Sequence, residues 1–476
     1  MISAMAAAGV LGLSGCADGD TEGDGGDGGD GGDGGDGGNG GDGGDGGDGG
    51  DGGDGGTEGT ATDVSGTVRI GVLQPLSGDL AYYGQQSVWG FASGLAHKTD
   101  TDPLTDIQTG TRTVEDGDVT YELLIRDTKL SADTAQQVAT SLVRNEDVDM
   151  LFGCSSSAAA SRVIQTVVNT DQVEVPYMAG PAASASITNS SETCSDQVFR
   201  ASENTAMDAR SGGTYVAEQT DVERVFLMGA DYSFGRSVVN NYQSVLESRG
   251  VEIVGKRFVP QQYDDFDGIF QSAVDANADA AVGGFTVATL PNFMTTAANY
   301  DIRIFGGFAT EVTNAVVGGV LQNLLGDLTA EKIENAEVGP FTTRYHWNQY
   351  DNPINDSFVE SYTNAYGKVP DLFTAGTFTA ASATVQAVRE TGETNATGLI
   401  DGLTGMTVRD TPKGEDAYTF QEYNNQARSE MTIAYPVPTE DQWSDSWGAA
   451  IQPGDPLARI DGADATIPES ESGCSL

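Results

Sequence analysis

Few side chains in this sequence could move a proton or hold a metal. The chain has two histidines, His97 and His346. They do not stand at metal-ligand spacing, and no Gly-x-x-x-x-Gly-Lys-Ser/Thr phosphate loop occurs. The run Gly153-Cys-Ser-Ser-Ser157 lacks the Gly-x-Ser-x-Gly form of a nucleophile elbow. A serine nucleophile also needs a positioned base, and neither histidine has an evident route to one of these serines. The expectation is therefore a protein that is not an enzyme and that needs neither cofactor nor metal. What the sequence offers instead is hydroxylic: Ser77-Gly78, Ser155-Ser156-Ser157 and Ala182-Ala183-Ser184. Backbone N–H groups and hydroxyls converging from three such loops would cradle a carboxylate. Aromatic residues stand at matching points, namely Tyr82 and Tyr83, Tyr232 and Phe234, and Phe285, and would wall an apolar body. Glu311 is the candidate partner for an ammonium group.

The elements that must position these loops follow from the hydrophobic pattern. Apolar strand-like runs at 68–73, 121–126, 149–153 and 176–180 alternate with helical patterns from about 84, at 131–144 and at 158–168. The series restarts with strands at 224–229, 252–259, 278–282 and 303–306, and helices at 234–248, 266–276 and 289–298. Two successive runs of this kind predict an α/β protein of two doubly wound lobes joined by a hinge. In such folds the loops beyond the carboxyl ends of the strands carry the ligand site. The predicted division is a first lobe over 64–199 and a second over 200–338. A return to the first lobe follows over 339–405, with helices at 355–366 and 374–390. A return to the second lobe takes 406–445, and 446–476 forms a C-terminal tail.

Composition limits the partners. There are 23 basic and 71 acidic residues, a formal net charge of −48. A nucleic-acid binder needs a basic face, so that class is excluded. Residues 18–59 hold 14 of the acids and no base, yet the remaining body is still strongly acidic and has only six lysines. This is the balance of a protein kept soluble in concentrated salt, where self-repulsion is screened, and it suggests a haloarchaeal source. Residues 1–16 form an apolar, small-residue run that ends in Leu13-Ser14-Gly15-Cys16, too short to span a bilayer. It reads as a secretory signal whose Cys16 is lipidated after cleavage. No Lys or Arg precedes the run, and the export route and true start stay open. Residues 17–63, a near-continuous Asp-Gly-Gly repeat, have nothing to bury and are expected to form a disordered tether. As a flexible coil it would reach roughly 35–40 Å. Of Cys154, Cys194 and Cys474, two are expected to pair in an oxidising exterior, and the sequence does not choose the pair.

Together these residues resemble a known family. Ile70-Gly-Val-Leu-Gln-Pro-Leu-Ser-Gly78 with Tyr83-Gly84, then Gly153-Cys-Ser-Ser-Ser157, Pro181-Ala-Ala-Ser184 and Asp231-Tyr-Ser-Phe-Gly235 are similar to the leucine/isoleucine/valine-binding proteins. Asn424-Asn-Gln-Ala427 resembles a further recurring segment of that family. The likeness runs from about Val64 to Tyr435 and implies the type I periplasmic-binding-protein fold. It also implies a substrate-binding lipoprotein of an ABC importer, anchored by lipid at the outer face of the cell membrane and delivering its solute to a permease. By the resemblance, Ser155 and Ser156 hold the ligand carboxylate with Ala182 and Ser184. Tyr83, Phe234 and Phe285 line the pocket, and Glu311 takes the ammonium. Phe stands at 234 and 285 where the amino-acid binders often carry Tyr. Relatives in the superfamily bind urea, short amides or aromatic acids, so those ligands stay open beside a branched-chain amino acid. A secreted hydrolase on an α/β scaffold is the rival from another class.

Overall fold

The structure is a computed structural model that describes residues 64–78, 81–170, 173–286, 288–306, 310–336 and 338–476. The expected signal, Cys16 and the glycine-rich tether lie outside the described residues.

The first lobe is built on strands β1 (Gly66–Gln74), β2 (Gly110–Asp116), β3 (Val119–Asp127), β4 (Met150–Gly153), β5 (Tyr177–Ala179) and β6 (Val198–Phe199), in the order β2-β3-β1-β4-β5-β6. All neighbours are parallel except the β2–β3 hairpin. Strand periodicity sends Val68, Ile70 and Val72 into a core on one face, and Leu73, Leu124 and Leu151 into a core on the other. The edge strand β2 is absent from the sequence reading because its alternate residues are exposed and polar.

The second lobe is an all-parallel sheet of β7 (Arg224–Ala230), β8 (Glu252–Val259), β9 (Ala280–Gly284) and β10 (Arg303–Phe305), ordered β10-β9-β7-β8. It too has a core on each face, around Phe226 and Met228 on one and Val225 and Leu227 on the other.

The helix Thr374–Thr391 is buried along nearly its whole length and packs on the helix Ala81–Thr99. Gly90 and Gly94 permit that approach. A Cβ at Gly90 would lie 2.2 Å from Thr377 Oγ1, and one at Gly94 2.3 Å from the Phe378 carbonyl.

The assignment of 406–445 to the second lobe is corrected by the structure for its first part, 406–428, while 431–438 packs on the second-lobe helices Thr205–Gln219 and Ala330–Asn335. The hairpin Thr407–Thr411 with Gly414–Phe420 buries Val408, Tyr418 and Phe420 in the first lobe's core, together with Met406 and Ala427. Alternating burial makes these residues strands, but nothing in that pattern says which sheet they cover. Residues 446–476, expected as a C-terminal tail, are tied into the body. Ile451 enters the second lobe's core, and Ala458–Ile460 pairs with Met431–Ala434, which also pairs with Phe341–Thr343. Cys474 is disulfide-bonded to Cys194. Among the described residues Cys154 is the free cysteine, and burial pushes its thiol up to about 12.

Candidate functional site

Both sheets turn the carboxyl ends of their central strands toward one cavity. In the first lobe the strand order reverses between β1 and β4, and in the second between β7 and β9. These switch points are where loops splay apart and leave a crevice. The cavity has a volume of about 300 Å³. The first lobe contributes Tyr83, Ser155, Ser156, Ser157 and Phe373, and the second contributes Tyr232, Phe234, Gln261 and Thr286. Leu130, Ala158, Pro181 and Ala183 complete the wall.

Four of the eight ligand positions expected from sequence therefore meet here: Tyr83, Ser155, Ser156 and Phe234. The other four are engaged elsewhere. Ala182 is fully buried, and its N–H donates to the Cys154 carbonyl at 3.0 Å. The Ser184 N–H donates to Ser157 Oγ at 3.0 Å, and its hydroxyl bonds to that of Ser186 at 2.8 Å. The carbonyls of both residues accept from Nη1 of Arg200, at 3.1 and 2.6 Å. Phe285 packs in the second lobe's core against Phe266 and Phe293, with ring centroids 5.3 and 5.0 Å away. Glu311 pairs with Lys368 at 2.9 Å, and its backbone N–H donates to Asp371 at 2.9 Å. Ser77, from the first hydroxylic loop, likewise spends its hydroxyl on Asp127 at 2.5 Å. Burial raises the Asp127 carboxyl, but the bonds from Ser77 and from the Leu76 and Lys129 amides outweigh it and hold the group below its ordinary value.

Sequence reasoning missed Phe373, Gln261 and Thr286 as site residues. Phe373 precedes the helix Thr374–Thr391 and reaches the cavity edge-on to Tyr83, centroids 5.4 Å apart. Only the return of that helix to the first lobe brings it there, so no local pattern marks it. Gln261 follows β8, and Thr286 lies just beyond β9. Position relative to the strand ends could have flagged both. Burial, and then the neighbouring Tyr83, push the Tyr232 phenol well above its ordinary value, so it stays a neutral hydroxyl.

The serine loop is backed by a buried network. Gln74, at the end of β1 and wholly buried, donates through Nε2 to the Gly180 carbonyl at 2.8 Å and to Ser87 Oγ at 2.7 Å. Its Oε1 accepts from the Ser155 hydroxyl at 2.7 Å. Arg200, also wholly buried, donates through Nε to Gln426 at 2.6 Å and through Nη2 to Thr188 at 2.9 Å. Burial pulls its guanidinium down to about 9. Gln426 belongs to the Asn424–Ala427 segment noted from sequence, and its role here is to fix Arg200. Neither histidine lines the cavity: His97 packs on Phe378, and His346 sits between Trp347 and Trp447. Among the described residues no group of three or more His, Cys, Asp or Glu could hold a metal ion. No helix among them is long and apolar enough to cross a membrane.

Two wound lobes around an apolar cavity with a hydroxylic edge define the type I periplasmic-binding-protein class, a fold that holds a small solute. The chain belongs to the periplasmic binding protein family, whose model matches residues 67–440. It is 28% identical over 313 residues to the Leu/Ile/Val-binding protein homolog 6 of Brucella abortus, covering 64% of this chain and 71% of that protein. Solved structures share the fold at lower identity. A substrate-binding protein of an ABC transporter from Sphaerobacter thermophilus matches with a TM-score of 0.67 at 20% identity, over 83% of this chain and 98% of that one. A solute-binding protein from Rhodopseudomonas palustris BisB5, in complex with 3,4-dihydroxy benzoic acid, matches with a TM-score of 0.64 at 20% identity over the same shares.

Proposed function

We propose that this protein is the extracellular receptor of an ABC importer. It captures a small carboxylated solute with an apolar body between its lobes and delivers it to a membrane permease. The observation that carries this reading is the cavity itself, with serine hydroxyls at one edge and the rings of Tyr83, Tyr232, Phe234 and Phe373 around the rest. No reaction is needed, because a ligand that binds the closed arrangement better shifts the population toward it. A branched-chain amino acid suits the name of the Brucella relative, and an aromatic acid suits the ligand of the Rhodopseudomonas structure. Lipidation at Cys16 would hold the receptor at the outer membrane face, with the glycine-rich run as tether. The acidic, lysine-poor body is suited to a salt-rich exterior.

The test is a thermal-shift screen of the full chain in molar KCl against amino acids, urea, short amides and aromatic acids. A ligand at 100 times its Kd adds about 2.7 kcal/mol, a readily measured rise in midpoint. A rise with leucine, isoleucine or valine supports the amino-acid reading, and a rise with aromatic acids alone supports the other. No rise with any compound overturns the receptor reading.

A further inference from the structure

We infer that residues 441–476 form a strap that holds the two lobes together in their closed arrangement before any solute arrives. The strap is built into the second lobe and grips the first lobe at both of its ends. Its benefit to solute capture rests on the receptor reading, but the strap itself is measured without a ligand.

Residues 441–476 follow the stretch matched to the family, 67–440. The middle of the segment belongs to the second lobe. Ile451 is buried in that lobe's core, and the short helix Gly462–Ala465 packs on the helix Thr205–Gln219. Arg210 of the longer helix donates to the Asp464 carbonyl at 3.2 Å and pairs with Glu471 at 2.9 Å.

The front end is the excursion 439–450, which leaves the second lobe between the paired strands Pro436–Pro438 and Ile451–Pro453. It sets Trp447 against Trp347, ring centroids 4.6 Å apart, and buries both with Val369. Trp443 packs on the same Trp347 ring at 5.9 Å. Val369 lies between the first-lobe helices Pro353–Tyr366 and Thr374–Thr391, and its N–H donates to the Ser446 carbonyl at 3.2 Å. Trp447 is fixed from its own side, where its indole N–H donates to the Ile451 carbonyl at 2.8 Å. Two residues beyond Val369, Asp371 accepts the Glu311 N–H, so strap and lobes meet along one seam beside the cavity. The back end grips the first lobe elsewhere. Ser472 Oγ donates to Asn189 Oδ1 at 3.1 Å, the Leu476 N–H donates to the Tyr423 carbonyl at 3.1 Å, and Cys474 is bonded to Cys194.

Lobes joined only by the crossing chain can rotate about those crossings. A segment fixed in one lobe and gripping the other at two places resists that rotation. The disulfide keeps the back grip throughout, so opening has to part the ring contacts and the Ser446–Val369 bond at the seam. A larger closed fraction before binding brings the apparent Kd nearer the intrinsic one.

Two backbone amides report the seam. The Glu311 N–H is the first of its helix and has no acceptor within it, so its bond to Asp371 is what protects it. The Val369 N–H lies in a loop and has Ser446 as its acceptor. The experiment is amide hydrogen exchange of the solute-free full chain, read by mass spectrometry at single-residue resolution. Both amides should be protected in the native chain, and rapid exchange at both would mean lobes already apart and overturn the inference. Trp447→Ala should speed exchange at both by about tenfold, the scale of a lost aromatic contact, while β1 and β7 stay protected. Glu311 N–H bonds to Asp371 and not to the strap, so its response reads the parting of the lobes. Trp447 is fully buried and Trp443 only half-buried, so Trp443→Ala is the variant that spares the core. It should act in the same direction by about threefold. Reducing the Cys194–Cys474 bond in Trp443→Ala should speed the seam amides further. Unchanged exchange at Glu311 in that reduced variant overturns the strap and leaves the receptor reading standing. A rise at β1 and β7 in step with the seam would be general unfolding, and would overturn it as well.

Discussion

On the first-lobe side of the cavity, the loops after β1, β4 and β5 are held by hydrogen bonds. Gln74 holds Ser155, Ser157 holds the Ser184 amide, and Arg200 holds the carbonyls of Ala182 and Ser184. On the second-lobe side, the loop after β9 is held by rings, with Phe285 wedged among Phe266 and Phe293. The two sides occupy equivalent places in their lobes, yet one fixes the direction of each polar group and the other fixes shape. Directed bonds suit a head group whose donors and acceptors must be read, while close packing suits an apolar body whose size must be read.

The largest effect should come from breaking the polar scaffold. Arg200→Met keeps the apolar stem but strips donors from two buried carbonyls, from Thr188 and from one side of Gln426. The Ala182 carbonyl loses its donor outright, at about 1–3 kcal/mol. The Ser184 carbonyl keeps the Ile187 N–H, and Gln426 keeps Thr188 and Asn204. The lost charged bonds add to this, and release from burying the charge offsets part of the sum. A net loss of about 3 kcal/mol is expected in urea unfolding. Unchanged stability would mean that the network orders the wall without stabilising it.

A second test addresses the seam where the two regimes meet. Asp371, two residues before Phe373, accepts from the Leu372 N–H at 2.6 Å and from the first N–H of the second-lobe helix Glu311–Leu325 at 2.9 Å. Burial pushes its carboxyl up to about 7. A raised acid binds its proton more tightly in the folded chain than in the unfolded one. Its contribution is therefore favourable at low pH, falls as pH rises from about 4 to about 7, and is constant above. One proton limits the slope to about 1.4 kcal/mol per pH unit. Asp371→Asn removes this slope and adds a pH-independent cost from the lost acceptor. Thermal midpoints of both proteins across pH 4–8 should show the difference. Parallel profiles would mean that Asp371 is ionised throughout.

What the sequence makes legible divides along the same line. Strand runs such as 68–73 and 224–229 announce themselves, because a central parallel strand is apolar throughout. The hydroxylic loop at 155–157 is visible for the same reason, since it follows such a strand. The side chains that face the cavity are harder to read. Ala182 and Ser184 look like Ser155 in sequence, but Arg200, a residue with no local relation to them, takes their carbonyls. Phe373 reaches the site only because the chain returns to the first lobe. The hairpin 407–420 shows alternation without an address, so its sheet is legible and its lobe is not.

Phe285 gives the smallest and sharpest test, since sequence placed it in the pocket and the structure packs it in the core. Its ring is 4% exposed and touches Phe266 and Phe293. Phe285→Leu trims a ring into a smaller apolar group that can partly fill the space, at about 1 kcal/mol. Calorimetric unfolding should register that loss, while the affinity of whichever solute proves to bind should change less than about threefold, because the residue supports the wall from behind. Phe234→Leu is the control. Phe234 lines the cavity itself, so there affinity should fall further than for Phe285→Leu. If Phe285→Leu instead lowered affinity as much as Phe234→Leu at equal stability, the ring would have to reach the ligand. The second lobe would then be reading the solute through two side chains after β7 and β9, as the resemblance implies, rather than holding its wall in place with one of them.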